Sequence, residues 1–310
     1  MIRFGSDCTG LDAPFIALKR VLTGVEIKHV FASDIDKYAK QMFLANHETC
    51  KFYDDACIPG ENKPPVDFYF AGFPCQTFSI AGKRSGFNDV RGRGTVFFYC
   101  ADYIRKRRPA VFVLENVKGL LSHDKGRTMK TIMHILSSIP GYKLSYSVLS
   151  PDKHANWPQH RDRVFLTGQL YGSFDYPGTI PLTVKGSSLL DLSLPPQSIT
   201  AFEQKNLDYK CTKYLSKGID IMKDYYFIDI GTSPHFGSAL YEKSPAMKAS
   251  RSNYFVTKLH RKITSDEIRK FQGFPKMNVV VSDSQYRKQL GNSICIPVLV
   301  VLFQKIFVSV

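Results

Sequence analysis

Short apolar runs that end in turn residues alternate with segments of helical periodicity through the first half of the chain. The runs predicted to be strands are Ile2–Gly5, His29–Ser33, Phe68–Ala71, Ala110–Glu115, Lys143–Leu149 and Arg163–Gly168. The segments predicted to be helices are Ala13–Leu22, Lys37–Asn46, Arg93–Lys106 and Arg127–Ser138. Strands that alternate with helices are typical of strand–helix–strand units and a parallel sheet. We therefore predict an α/β fold with a mostly parallel sheet and helices on both faces.

The residue composition and the hydrophobic periodicity of the sequence change near Tyr171. From there to Lys258 the chain is rich in Ser, Pro, Tyr and Lys, without a clear period. Helical periodicity returns at Thr264–Phe271 and Ser293–Phe307. We predict a large domain over residues 1–170, a small irregular lobe over 171–258, and a return to the large domain over 259–310.

The charge balance favours polyanions. Lys and Arg number 42 against 27 Asp and Glu, a net charge of +15, and nucleic acid is the commonest partner of such a chain. Part of the excess lies in a Gly-rich stretch with Lys83, Arg84, Arg91 and Arg93, where we expect phosphate contacts. For the basic run 105–108, a solvated helix face and a phosphate-binding face both remain open.

The seven cysteines form no CxxC pair and are odd in number, which argues against a disulfide framework and a structural zinc site. The N-terminal residues do not show the charged and then apolar pattern of a signal peptide, and no run of about 18 apolar residues could span a bilayer. We expect a soluble intracellular protein without a bound metal, in the cytoplasm of a prokaryote or virus-infected cell or in a nucleus.

Cys75 follows an apolar strand and a Gly-Phe-Pro turn. In open α/β sheets, ligands bind at the carboxyl edge of the strands. A cysteine is more often a buried structural residue, but this placement, followed by a basic loop, favours a reactive thiol. Its thiolate would need a nearby positive charge or hydrogen-bond donor.

Two further segments bring charged groups toward the same edge. The predicted strand Ala110–Glu115 ends in Glu115, which would share a pocket with Cys75 if this strand and the strand before Cys75 are neighbours. Alternatively, Glu115 is the N-terminal residue of a helix. Arg161 and Arg163 are two residues apart, so an extended strand would place both on one face. Paired guanidinium groups suit a carboxylate, a carbonyl oxygen or phosphate, although a surface ion-pair ladder has the same spacing.

These segments resemble, in order, motifs IV, VI and VIII of the cytosine-C5 DNA methyltransferases in their single-chain bacterial or viral form. They read Gly72-Phe-Pro-Cys-Gln76, Glu115-Asn-Val117 and Gln159-His-Arg-Asp-Arg163. The stretch 73–92 is similar to the family's catalytic loop, 263–275 to motif IX and 289–298 to motif X. The resemblance covers residues 1–170 and 258–310 and leaves only the middle lobe unmatched.

The resemblance implies a Rossmann-like domain that uses S-adenosylmethionine, leaves S-adenosylhomocysteine, and methylates C5 of a flipped-out cytosine in a short DNA sequence. By this likeness Cys75 is the nucleophile at cytosine C6, and Glu115 is the acid at N3. Arg163 corresponds to the arginine at O2, and Arg161 helps to hold the site. Lobe 171–258 would be a target-recognition domain, and residues 1–170 a catalytic and cofactor-binding domain.

The cofactor motifs resemble the family only in part. The first strand–turn–helix keeps one of the three family glycines, with Asp12 and Ala13 in the places of the other two; alternatively, this is an ordinary turn with Asp12 as N-cap. The segment 31–39 resembles motif II, whose acid binds the ribose hydroxyls. For Asp55, similar to the residue that reads the adenine amino group, neighbouring Asp54 is an alternative. The residues expected at the cofactor are Cys8, Gly10, Leu11, Asp34, Ile35, Asp55, Pro74, Val96, Asn292 and Ser293.

Double-stranded DNA is the partner that the resemblance implies, with a companion restriction endonuclease left open and a monomer expected. The middle lobe carries ten Lys and Arg against eight Asp and Glu between Tyr171 and Lys258, so its surface would read bases through a few side chains. The residues expected to contact DNA are Gln76, Ser79, Lys83, Arg84, Arg91, Arg93, Gln159 and Arg251.

Two alternatives compete with DNA methylation as the function of this chain. The tRNA-methylating branch of the family resembles Pro-Pro-Cys-Gln-Pro-Phe with a Cys-Phe-Thr signature, whereas this chain has Phe-Pro-Cys-Gln-Thr-Phe around Cys75 and only Cys-Thr-Lys from Cys211. A non-catalytic DNA-binding homologue would have lost Cys75, Glu115 or the arginines, and all are present. DNA (cytosine-5-)-methyltransferase is therefore the favoured activity.

Overall fold

The computed structural model describes residues 1–48, 51–74, 95–235, 237–250 and 253–308. Its strands are β1 Ile2–Asp7, β2 Ile27–Ser33, β3 Lys51–Tyr53, β4 Phe68–Ala71, β5 Val111–Val117, β6 Lys143–Leu149, β7 Arg163–Gln169, β8 Tyr226–Asp229, β9 Leu240–Tyr241, β10 Tyr254–Val256 and β11 Arg261–Lys262. Its helices are α1 Ala13–Val21, α2 Lys37–Asn46, α3 Val96–Arg107, α4 Arg127–Ser137, α5 Pro151–His154, α6 Ala201–Leu215, α7 Ser265–Phe271, α8 Asp283–Asn292 and α9 Ile296–Phe307.

The chain divides into two compact units. The large unit consists of Met1–Leu149, Asp162–Pro177 and Leu299–Val310, and the small unit of Ser150–Arg161 and Gly178–Val298. The domain boundaries expected near residues 171 and 259 stay predictions.

A seven-stranded sheet forms the centre of the large unit, in the order β3-β2-β1-β4-β5-β7-β6. The strands from β3 to β5 run parallel, and β7 runs antiparallel to both β5 and β6. The six strands predicted in this region are all present, with bounds within a few residues of those expected. The predicted α/β fold with a mostly parallel sheet is confirmed.

Helix α9 closes the core against the middle of this sheet. The rings of Phe303 and Phe307 lie 5.2 and 5.1 Å from the ring of Phe68 on β4. The stretch Asp283–Phe307 is long and apolar enough to cross a membrane by length and composition, with 56% of its most apolar window buried in the fold. Because α9 buries Leu299, Leu302 and Phe303, we interpret it as a core helix of a soluble protein.

The basic run at the end of α3 has protein partners. Arg105 donates a hydrogen bond to Ser138 Oγ at 3.0 Å, and Lys106 lies 3.1 Å from Asp102. The guanidinium of Arg108 lies 4.8 Å from the centre of the Tyr142 ring. Of the two interpretations left open for residues 105–108, these contacts favour the solvated helix face over the phosphate-binding face.

The small unit contains an antiparallel sheet in the order β11-β10-β8-β9. Helix α6 contributes Leu207 to an apolar cluster with Ile228 on β8 and Phe255 on β10. Sequence reasoning missed this helix, because the region was interpreted as short irregular pieces. The available signal was the Thr200-x-x-Glu203 pattern, which forms a capping box at its start.

A buried ion pair holds the segment that resembles motif IX. Arg261 and Glu267 are almost completely buried, with Nη2–Oε1 and Nη1–Oε2 distances of 2.6 and 2.9 Å. Glu267 also accepts hydrogen bonds from the backbone N–H groups of Thr264 at 2.7 Å and Asp191 at 2.8 Å. One carboxylate therefore fixes the start of α7, strand β11 and the loop around Asp191.

We expect Glu267→Gln to lower the free energy of unfolding by roughly 3–5 kcal/mol, because it leaves the Arg261 guanidinium buried without its anionic partner. Asp266→Asn is the matched control: its carboxylate is largely exposed beside Arg269, and we expect a loss of about 1 kcal/mol or less. Urea denaturation of the three proteins measures both values. Equal losses in the two variants would contradict the prediction.

Candidate active site

The ends of β4 and β5 place the expected catalytic segments side by side. Ala71, the last residue of β4, pairs with Leu114 of β5 in parallel register, so Glu115 lies one position further along at the same edge. Past β4, Asn116 donates a hydrogen bond from Nδ2 to the carbonyl oxygen of Phe73 at 3.2 Å. The condition that the two strands are neighbours is thus met, and the Phe73-Pro74 segment is tied to β5.

Several expected site residues lie outside the described residues, and their roles stay predictions. They are Cys75, Gln76, Ser79, Lys83, Arg84, Arg91, Arg93 and Arg251.

Glu115 and Arg163 form a largely buried pair at this edge. The Arg163 Nε atom lies 3.0 Å from Glu115 Oε1, and their side chains are only 15% and 10% exposed. Arg163 is the first residue of β7, which pairs with β5 in antiparallel register. The pair therefore brings a carboxyl group and a permanent cation together where water is largely excluded.

The expectation that Arg161 and Arg163 share one strand face is wrong. Strand β7 begins only at Arg163, so the two-residue period does not apply to Arg161. The Arg161 side chain lies in the small unit, where its guanidinium donates to the carbonyl oxygens of Met247 at 2.5 Å, Gly291 at 3.1 Å and Ser293 at 2.8 Å. Its contacts are those of a residue that holds the backbone of the small unit in place.

Gln159 also differs from expectation. It was predicted to contact DNA, but its side chain is completely buried and its Nε2 atom lies 3.4 Å from the carbonyl oxygen of Phe271. Trp157 donates to the same oxygen at 2.7 Å. This corrects the expectation: in the described conformation, Gln159 occupies an interior position in the small unit rather than a surface that DNA could contact.

Asp34 connects the ends of β1 and β2. Its carboxylate accepts hydrogen bonds from the backbone N–H of Gly10 at 2.8 Å and of Asp36 at 2.9 Å. Among the residues that the structure describes, no atom lies within 4 Å of a Cβ atom built on Gly10, so the described part of the chain leaves room beside this turn. Next to Asp34, the Ile35 side chain is 81% exposed.

These features fit a nucleoside-bearing cofactor. An exposed apolar side chain beside carboxylates at the carboxyl edge of a parallel sheet suits a flat base and its ribose hydroxyls. Asp55 is exposed, and its carboxylate accepts the Cys57 N–H at 2.8 Å. S-adenosylmethionine has the groups that such an edge would bind.

The other expected cofactor residues occupy different environments. Leu11 and Val96 are buried, whereas Cys8 and Pro74 are partly exposed. In the small unit, Asn292 is exposed at the end of α8, and the Ser293 hydroxyl donates to the carbonyl oxygen of Gln289 at 2.9 Å. Their contacts with a cofactor stay predictions. Among the described residues, no group of three or more His, Cys, Asp or Glu could hold a metal ion.

Asp12 is buried in the turn that departs from the family's glycine pattern. Its backbone is left-handed, with φ 59°, and its side chain does not cap α1. The Asp12 Oδ2 atom lies 3.3 Å from His29 Nδ1 and 4.0 Å from His47 Nδ1. Burial raises the pKa of Asp12 well above its usual value, and lowers the pKa of His29 to about 3 and that of His47 to about 4.

We expect Asp12→Asn to stabilise the protein increasingly as the pH rises. Because the folded-state pKa of Asp12 lies above its usual value of 3.8, the stability given by its protonated form is present below that value and is lost as the pH rises through the folded-state pKa. Asn stays neutral and tolerates left-handed backbone. The gain should be about 1.4 kcal/mol for each unit between the two pKa values.

Thermal unfolding of both proteins from pH 4 to pH 8 measures this difference. Both proteins keep His29 and His47, so the comparison isolates the effect of the Asp12 charge, including its effect on these two neighbouring imidazoles. A difference in melting temperature that stays constant over the whole range would show that Asp12 is not held protonated by burial.

Solved structures of methyltransferases have folds similar to that of this chain. A methyltransferase of Entamoeba histolytica has a TM-score of 0.67 at 17% identity, covering 99% of this chain and 98% of that one. A Spodoptera frugiperda DNMT2 has a TM-score of 0.66 at 16% identity, covering 99% and 100%. At this identity the likeness shows the fold alone, which is that of an α/β methyltransferase.

Sequence comparison goes further than the fold. The family model described as C-5 cytosine-specific DNA methylase matches residues 4–308. The Type II methyltransferase M.HaeII of Haemophilus aegyptius is 35% identical over 278 residues, 88% of this chain and 83% of that protein. M1.ScrFI of Lactococcus lactis subsp. cremoris is 32% identical over 289 residues, 90% of this chain and 72% of that protein.

By these matches, the chain is a methyltransferase of the class that uses S-adenosylmethionine. It belongs to the C-5 cytosine-specific DNA methylase family, and its activity is that of a DNA (cytosine-5-)-methyltransferase. This confirms the family and the activity that the motifs around Cys75 and Glu115 predicted.

Proposed function

We propose that the chain methylates C5 of a cytosine flipped out of one short DNA sequence, through a covalent bond between Cys75 and cytosine C6. The observation that carries this proposal is the Glu115–Arg163 pair, 3.0 Å apart, at the edge where β4 leads toward Cys75. Since C6 is inaccessible in a stacked duplex, the target base has to leave the helix first.

The two described side chains have complementary tasks in this reaction. Addition of the Cys75 thiolate to C6 pushes negative charge into the ring, onto N3 and O2. Glu115, in its protonated form, donates a hydrogen bond at N3, and the Arg163 guanidinium stabilises charge at O2. The S-adenosylmethionine sulfonium supplies a methyl group that C5 accepts. A base then takes the C5 proton, the C5–C6 double bond re-forms, and the Cys75 thiolate is expelled.

The contact between Glu115 and Arg163 fixes the position of both side chains. Arg163 Nε is bonded to Glu115 Oε1, and its Nη1 donates to the Asp162 carbonyl oxygen at 2.8 Å. The guanidinium is therefore held by Glu115 of β5 and by the backbone carbonyl just before β7. Groups held in this way need little reorganisation when charge develops in the transition state.

We propose the loop 230–239 of the small unit as the surface that reads the target sequence. Four side chains of α6 hold this loop. Asn206 Nδ2 donates to the carbonyl oxygens of Ile230 and Thr232 at 2.8 and 2.7 Å, and the Tyr214 hydroxyl accepts the Ala239 N–H at 3.0 Å. Buried Lys210 donates to the Gly237 carbonyl, and the Tyr209 hydroxyl lies 2.9 Å from His235 Nδ1.

A loop held by this many side-chain bonds keeps its polar groups in fixed positions. Ser233 and His235 belong to its described part, and they offer the donors and acceptors that base edges require. Preorganisation lowers the entropy lost on binding and increases the penalty for a wrong base. The nearly neutral segment 171–258 could in this way read sequence, while basic residues elsewhere supply the salt-dependent affinity for phosphates.

The relatives are Type II methyltransferases, and on that ground we propose that the chain is paired with a restriction endonuclease of the same specificity. We also propose that it acts inside the cell as a monomer. Size-exclusion chromatography with light scattering tests the monomer. Resistance of methylated plasmid to an endonuclease that cleaves the same sequence tests the pairing.

Bisulfite sequencing of plasmid DNA from expressing cells should show 5-methylcytosine in one fixed short context. In the same experiment, Asn206→Leu, which removes two hydrogen bonds to loop 230–239, should widen that context, while Gln204→Leu on the exposed face of α6 should leave it unchanged. Unmodified DNA together with methylated tRNA would overturn the DNA substrate. An unchanged context in Asn206→Leu would overturn the assignment of the loop.

We expect the protein to form a covalent complex with DNA that contains 5-fluorocytosine at the target, because fluorine at C5 cannot be removed as a proton and the Cys75–C6 bond persists. Denaturing gel electrophoresis with S-adenosylmethionine present detects the complex. Cys75→Ala should abolish it, and Cys211→Ala, in the small unit, should not. A complex that still forms with Cys75→Ala would show that another residue is the nucleophile.

A further inference from the structure

A charged pair with no role in the chemistry above lies inside the large unit. The side chains of Asp7 and Lys63 are completely buried, and Lys63 Nζ donates to Asp7 Oδ1 at 2.9 Å and to Oδ2 at 2.8 Å. The two residues are 56 positions apart in the chain. Motif comparison gave neither residue a function.

Three more groups complete this network. The Tyr69 hydroxyl donates to Asp7 Oδ2 at 2.7 Å, and the Ser33 hydroxyl donates to Asp7 Oδ1 at 2.5 Å. Lys63 Nζ donates its third hydrogen bond to the carbonyl oxygen of Ala56 at 2.9 Å. The Asp7 carboxylate therefore accepts four hydrogen bonds, and all three Lys63 protons have an acceptor.

Burial of two charges needs a compensating gain. An ion pair inside a protein loses several kcal/mol of hydration per ion, and an apolar pair of similar volume is often at least as stable. Stability alone is thus a weak explanation for Asp7 and Lys63. What the pair provides and an apolar core does not is directional bonding, which fixes the relative positions of the segments that it joins.

Four of the joined segments carry or lead to a residue expected at the cofactor, and the exception is the segment of Lys63 itself. Asp7 directly precedes Cys8, Ser33 precedes Asp34, and Ala56 follows Asp55. Tyr69 belongs to β4, the strand that leads to Pro74. The network therefore connects the carboxyl ends of β1 and β2, the interior of β4 and the segment after β3, close to the edge at which these residues lie.

The turn that follows Asp7, from Cys8 to Asp12, has a strained backbone. Cys8 and Asp12 have positive φ angles of 54° and 59°, which are uncommon for residues other than Gly and persist only when surrounding structure holds them. The family resemblance predicted glycines in this turn, and this chain retains only Gly10. A rigid anchor at Asp7, one residue before Cys8, would hold a turn whose own sequence does not favour its shape.

We propose that Asp7 and Lys63 are positioning residues for the S-adenosylmethionine pocket: their buried ion pair fixes the turn at Cys8–Gly10 relative to Asp34 and Asp55. The inference rests on the proposed function, since it assigns these two residues to the cofactor site of that reaction. They act through the segments that they join and do not touch the cofactor.

The test measures binding of S-adenosylhomocysteine by isothermal titration calorimetry, with no turnover. The variant is the double substitution Asp7→Asn with Lys63→Met, which removes both charges and avoids an unpaired buried ion. We expect about tenfold weaker S-adenosylhomocysteine binding, the effect of losing one well-placed hydrogen bond, with DNA affinity and kcat at saturating S-adenosylmethionine within about threefold of the unmodified protein.

Lys106→Met is the matched control. Lys106 is also paired with acidic groups next to the 60–63 segment, Glu61 and Asp102, but its side chain is 41% exposed. We expect no change in S-adenosylhomocysteine affinity. Unchanged affinity in the double variant would overturn the proposal, as would an equal loss of DNA and S-adenosylhomocysteine affinity, which would indicate general loosening of the fold.

Tyr69→Phe covers the case in which the double variant does not fold. It removes one hydrogen bond to Asp7 and keeps the buried ring, and we expect S-adenosylhomocysteine binding to weaken about threefold or more while DNA binding stays the same. Unchanged affinity in Tyr69→Phe would then overturn the proposal. If the proposed function were wrong, the unmodified protein itself would fail to bind S-adenosylhomocysteine or to methylate DNA. That result is distinguishable from a failure of this inference, which concerns only the variants.

Discussion

The position of β4 between β1 and β5 brings the cofactor turn and the candidate catalytic pair to one edge of the sheet. On one side, parallel pairing with β1 brings the turn after Asp7 to the carboxyl edge of the sheet. On the other side, pairing with β5 brings Glu115 to the same edge. The methyl donor and the target base would therefore approach one edge from two sides, as a transfer between two substrates requires.

Much of this arrangement followed from the sequence because its signals are local. Apolar runs and their turn residues gave the strands, and the residues that follow a strand in a parallel sheet share one edge. That reasoning placed Asp34 after β2 and Glu115 at the end of β5. Ordered motifs then identified the family, although the positions of Cys75 and its loop lie outside the described residues.

The remaining features depend on contacts between distant parts of the chain, for which sequence offers no period. Arg161 and Arg163 looked equivalent by spacing, yet only Arg163 belongs to β7. Lys63 lies between Asn62 and two prolines, and nothing in its neighbourhood predicts burial beside Asp7. Helix α6 had a local signal at Thr200 and Glu203, but its weak amphipathic pattern concealed it.

The packing of α9 against β4 has a consequence for how the protein is made. Phe68 contacts Phe303 and Phe307. The packing of the central strand of the sheet can therefore be completed only after residues more than 200 positions later have been synthesised. Contacts of such long sequence separation slow folding and leave apolar surface exposed in the meantime. In the nascent large unit, the face of β4 that α9 covers therefore stays exposed until α9 emerges from the ribosome.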